Sequence, residues 1–228
     1  IYCDSMMSQN AANEIIVKLY NPFVELELVK EIWTSMLKKC PHAYFLSWAW
    51  RELWIQSLPP DCKLYLVAGF INEAPVMTLF VGSRTIIKHR CFKMRELSLN
   101  ETLIPDIDIG TYIEYNSILI DPRITISLES VLKLIPIKWD KFNMLRCSSI
   151  YQPNLLSIDN IGKNYYSNIM NLRSYYVNLD KVRHNSNDYL SLISPKKRYQ
   201  VRRSIKEYEK IGKLEIHVAH NKEDGLEI

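Results

Sequence analysis

The chain has 228 residues, of which 47% are apolar, 24% charged and 11% aromatic, with a formal net charge of +4. That apolar and aromatic content excludes intrinsic disorder, and six Gly with ten Pro exclude collagen-like or low-complexity sequence. No apolar run nears the roughly 18–20 residues of a membrane span, so the length describes one large domain, or one domain and the start of another.

Residues 1–13 read as a tail, because no basic region followed by an apolar one marks an export signal. Glu14–Tyr20 alternates as a strand does, and Val24–Cys40 places Leu28, Ile32, Met36 and Lys39 near helical spacing before Pro41. Ser47 is the expected N-cap of a second helix, Ser47–Gln56, in which Trp48, Trp50 and Trp54, with Tyr44 and Phe45 just before, are read as core aromatics. Lys63–Ile71 and Ala74–Ile87 are β-branched and apolar, and Asn72-Glu73 between them predicts an antiparallel hairpin. Arg95–Asn100 is expected as a further strand, and Pro105–Asp121 as an irregular acidic stretch entering the apolar Ser117–Ile120. Ile126–Leu134 has helical spacing, whereas Asn143–Cys147, Asn171–Leu179 and Leu214–Ala219 have strand character. This order predicts an α/β or α+β layer fold with a mixed sheet.

Five dispersed cysteines, Cys3, Cys40, Cys62, Cys91 and Cys147, suit reduced thiols and a cytoplasmic location. Asn221–Ile228 stops with no terminating signal, so the sequence reads as cut.

Charge is concentrated late in the chain. Between Lys196 and Lys210 stand seven basic residues against two acidic ones, and the remainder sums to −1. Ser194 as N-cap, Pro195 at the first position and Gly212 beyond the end delimit a helix over Ser194–Ile211. Val201, Ile205 and Tyr208 form an apolar stripe expected to pack, beside a basic stripe of Arg198, Arg202 and Lys206. Cations in the first turn oppose the helix dipole, at about 0.3–1 kcal/mol each, so stability alone does not place them there. Free N–H groups with clustered cations suit a phosphate or carboxylate.

The segment Tyr189–Lys206, with its Tyr-Leu, Leu-Ile-Ser, Lys-Lys-Arg and Arg-Arg groups followed by Gly212-Lys213-Leu214, resembles the CelD/BcsL group of GNAT-type acyltransferases. That group carries the BioF2-like acetyltransferase domain and is related to the Fem aminoacyltransferases. The aromatic helix Phe45–Trp54, the strand Leu64–Gly69 and the stretch Tyr115–Leu119 are similar to upstream parts of the same pattern. The resemblance implies a GNAT-like mixed, largely antiparallel sheet flanked by helices, with an N-terminal domain over 14–185 and the incomplete start of a second over 186–228. It implies transfer of an acyl group from acyl-CoA, acetyl-CoA above all, to an amine of a sugar, peptide or cell-envelope precursor. It further implies that Lys197, Arg198, Arg202 and Arg203 hold an anionic part of substrate or cofactor, and that Tyr115 lines the cleft, although Glu114 stands where the family has Asp. The GNAT pyrophosphate loop, Q/R-x-x-G-x-G/A, does not occur in the sequence, so tight acyl-CoA binding by these residues alone is not expected. No catalytic base is assigned.

The alternative reading is a non-enzymatic module whose basic helix 195–211 contacts nucleic acid or another polyanion. The near-neutral remainder of the chain weighs against nucleic acid. Apolar residues left uncovered on that helix would favour self-association. Asp106 and Asp108 form a D-x-D string but are read as solvated, and the Cys-x-His and His-x-Cys pairs Cys40/His42 and His89/Cys91 are too tightly spaced for zinc, so no metal is expected.

Overall fold

The computed structural model describes residues 14–89, 91–148, 165–171, 173, 175–215, 217 and 218. The chain divides into two compact units, Ile1–Asn168 and Ile169–Ile228.

The first unit is a mixed, mostly antiparallel six-stranded sheet with helices. Its elements are β1 (Ile16–Tyr20), α1 (Leu26–Leu37), a 3-10 turn (Tyr44–Leu46), α2 (Trp48–Ser57), β2 (Leu64–Ile71), β3 (Ala74–Lys88), β4 (Phe92–Leu99), α3 (Pro105–Thr111), β5 (Leu119–Ile120), α4 (Leu128–Leu134) and β6 (Lys141–Asn143). The sheet order is β1-β2-β3-β4-β6, with β5 also on β3, and only β4–β6 is parallel.

Strand alternation sends side chains to two faces, and each face has its own core. Leu64, Leu66, Ala68 and Phe80 pack with Val29, Ile32, Trp33 and Met36 of α1 and with Trp48, Trp54 and Ile55 of α2. Val67, Met77, Leu79, Val81, Leu97 and Leu99 pack instead with Leu128, Val131 and Leu132 of α4. Asn72 and Glu73 both have positive φ, 48° and 65°, as a two-residue turn between twisted strands requires. Ser47 and Ser127 cap α2 and α4 by accepting from Trp50 N and Ser130 N.

Several expectations are corrected. The helix expected over Val24–Cys40 is shorter, Leu26–Leu37, and ends before Lys39; its buried residues are Val29, Ile32, Trp33 and Met36, while Leu28 is 42% exposed. Tyr44 is exposed, while Trp48 and Trp54 are buried as read. The stretch Pro105–Asp121 is not irregular throughout, since Pro105 starts α3, and the strand expected at Asn143–Cys147 is instead Lys141–Asn143 with a lone bridge from Cys147 to Asn116.

The second unit contains α5 (Leu179–His184), α6 (Tyr189–Leu192) and α7 (Pro195–Glu209). The described residues of 171–178 and of 214–219 form no strand, because none has a sheet neighbour; Leu172, Ser174, Ile216 and Ala219 lie outside the described residues. None of this unit's described residues is buried, so the stripe Val201, Ile205 and Tyr208 is exposed rather than packed. Four described cysteines are free thiols. Among the described residues no helix is long and apolar enough to cross a membrane.

Candidate functional site: an interrupted strand and a cationic helix

β3 changes partner part-way along. Val81 faces Leu99 of β4, whereas Thr78 faces Leu119 of β5. β4 and β5 therefore form one interrupted strand along β3, and residues 100–118, which include α3, leave the sheet between them. Asn100 fills the break. Its backbone N–H donates to Phe80 O at 2.7 Å, its Oδ1 accepts from Phe80 N at 3.0 Å, and its Nδ2 donates to Asn116 Oδ1 at 2.7 Å and Ser117 O at 2.8 Å. Asn116 in turn donates to Leu99 O and Leu145 O. Two buried amides thus replace ladder bonds that the interruption removes.

The excursion runs close against the sheet and through unusual backbone. A Cβ added to Gly82 would lie 2.1 Å from Glu101 O, so only glycine admits that approach. Asn100, Leu103, Tyr112, Tyr115 and nearby Arg146 all have positive φ. For Leu and Tyr this conformation costs energy, and such strain concentrates at functional sites. Asp108 anchors α3 by accepting from Thr102 N, Thr102 Oγ1 and Leu103 N at 2.8–2.9 Å. One carboxylate of the D-x-D string is thereby engaged with its own loop.

Beneath the excursion lies buried charge. Glu101 accepts from Ser98 Oγ at 2.9 Å and from Arg146 Nη2, and burial raises its pKa despite those partners. Arg146 also donates to Ile113 O and lies over the Tyr112 ring at 4.4 Å. Burial, with Glu101 adding to it, pushes the Cys147 thiol up to about 12. Arg51 is fully buried, its guanidinium within 5.7 Å of the ring centroids of Trp33, Trp50, Trp54 and Phe80. Nη1 donates to Asn100 O at 3.3 Å while Nε and Nη2 have no hydrogen-bond partner, and burial brings the pKa down to about 9. A buried carboxylate and a buried guanidinium thus adjoin the sheet break, the charged form of each disfavoured by burial.

Of the residues to which the resemblance gives a site role, only Tyr115 belongs to this region, at the end of the excursion. Lys197, Arg198, Arg202 and Arg203 are on α7 in the other unit. Ser194 caps α7 by accepting from Lys197 N, and Pro195 takes the first position as expected. Lys197, Arg202 and Arg203 are exposed and have no carboxylate partner among the described residues. Arg198 differs from them. Its Nε donates to Leu190 O at 2.9 Å, and its Nη2 to Ser191 O at 3.2 Å and Ile193 O at 3.3 Å. It satisfies carbonyls left open at the end of α6 and fixes the α6–α7 corner.

Sequence reasoning missed Asn100, Glu101, Arg146 and Arg51. Arg51 alone left a signal: a charged residue among Trp48, Trp50 and Trp54 on a helix otherwise read as core. Comparisons with family models, with curated proteins and with solved structures found no match for the chain.

Proposed function

We propose that the chain contributes to a GNAT-type N-acyltransferase, which moves an acyl group from acyl-CoA to an amine of a sugar, peptide or other small acceptor. The observation that carries this reading is α7: Lys197, Arg202 and Arg203 stand exposed, with no carboxylate partner among the described residues, on a helix whose sequence resembles the CelD/BcsL segment. The mixed, largely antiparallel sheet of the first unit, flanked by helices, also agrees with what the resemblance implies. In this reading the three cations hold an anionic part of acceptor or cofactor, and Arg198 sets the angle at which α7 is presented.

The test is CoA release from acetyl-CoA by the natural full-length protein over a panel of amines, compared with Lys197→Ala/Arg202→Ala/Arg203→Ala. Loss of those charge-assisted contacts should raise KM for the anionic partner about tenfold or more, or abolish transfer, with circular dichroism unchanged. Wild-type kinetics in the triple variant would refute it. Tight oligonucleotide binding that the triple variant loses, with no transfer by the wild type, would favour the polyanion-binding module.

A further inference from the structure

A second basic run stands earlier in the sequence than α7. From Arg84 to Arg95 the sequence holds five Lys or Arg, one His and no acid. The structure places the described residues of this run on the β3–β4 hairpin, and Arg90 lies outside the described residues. β2 last reaches β3 at Gly82, and β6 reaches β4 only at Glu96–Ser98, so Thr85–Lys88 and Phe92–Met94 are bonded in the sheet only to each other. The result is a two-stranded ribbon about 13 Å long. At its base Arg84 is held by Glu96 at 2.6 Å, and Arg95 by Asp140 at 2.8 Å.

The tip is different. Lys88 and Lys93 are exposed and have no carboxylate partner among the described residues, and Ile87 and Phe92 are each 66% exposed. Ile87 is registered with Lys93, and Lys88 with Phe92. Directly opposed residues share a face, so each face of the tip carries one apolar side chain and one cation. Lysines alone would be accounted for as protection of open strand edges, but that role leaves an exposed Phe and Ile unexplained.

We propose that this tip docks on an anionic lipid surface, with Ile87 and Phe92 entering the boundary of the acyl chains and Lys88 and Lys93 meeting the headgroups. Interfacial binding needs apolar area and cations offered to the same plane, and the tip offers both at one end. Nucleic acid would reward the cations but gains nothing from a solvent-facing Ile87.

The experiment is co-sedimentation of the full chain with phosphatidylcholine vesicles, with and without phosphatidylserine. The wild type should bind only the anionic vesicles. Lys88→Glu/Lys93→Glu should lose about 25-fold or more in affinity, since each cation near such a surface is worth about fivefold. Phe92→Ser should lose about tenfold with charge unchanged, whereas Lys197→Ala/Arg202→Ala/Arg203→Ala should keep this Phe92 dependence. Circular dichroism checks that these exposed substitutions leave the fold intact. Equal binding to neutral vesicles, no binding, or full binding by Phe92→Ser would overturn the proposal. So would oligonucleotide binding that needs Lys88 and Lys93 in a protein that ignores vesicles.

Discussion

Replacing Asn100 by Ala tests whether the strand interruption is held by one side chain. The substitution removes three hydrogen bonds and leaves Phe80 N–H, Ser117 C=O and Asn116 Oδ1 without this partner in a site where Asn100 and Asn116 are fully buried. Each buried group so orphaned costs about 1–3 kcal/mol, and the under-satisfied acceptors lie at the lower end. Asn100 also has φ of 55°, which Asn tolerates and Ala resists by about 1 kcal/mol. The expected loss is about 3–6 kcal/mol, a large part of the about 5–15 kcal/mol that stabilises a domain. All five tryptophans, Trp33, Trp48, Trp50, Trp54 and Trp139, lie in the first unit, so their fluorescence reports its unfolding in urea. With a slope of about 2 kcal/mol/M the midpoint should fall by about 1.5–3 M. Asn100→Gly, which accepts positive φ, should recover up to about 1 kcal/mol relative to Ala. A midpoint shift below about 0.5 M for Asn100→Ala would refute the reasoning, because the amide would then not be replacing the ladder.

Arg198→Ala should weaken the α6–α7 corner by about 1–2 kcal/mol, since three carbonyls lose a charged donor at a partly exposed position. Amide exchange over residues 189–200 should accelerate in that variant and in Arg198→Lys, whose ammonium lacks the fork, but not in Arg202→Ala. Glu101→Gln tests the buried carboxyl. The pKa of Glu101 is raised by burial, so the folded state binds its proton more tightly than the unfolded state does. Wild-type stability relative to Glu101→Gln should therefore fall as pH rises from below the ordinary carboxyl range through the raised folded pKa, as urea midpoints measured from pH 4 to 7 would show. A difference that stays constant or grows over that interval would contradict the assignment.

Much of the architecture was legible because it depends on neighbours in sequence. Ser47, Ser194 and Pro195 announce helix starts through bonds closed within one turn, and Asn72-Glu73 announces a hairpin between apolar runs. Leu28 and Val29 both fit a helical stripe, and only the position of the sheet decides that Val29 is the buried one. Tertiary structure decided the rest. Asn171–Leu179 has a strand's composition, but composition supplies no ladder partner. Asn100 reads as a polar residue at a strand end until Phe80, Asn116 and Ser117 are brought around it. Arg198, one of seven cations between Lys196 and Lys210, becomes a structural clamp only because α6 ends within its reach. The basic run of the β3–β4 ribbon stands openly in the sequence, yet its meaning depends on where β2 and β6 stop. A strand's neighbours are set by contacts distant in sequence, and no local propensity encodes the point at which the sheet ends and two strands continue alone.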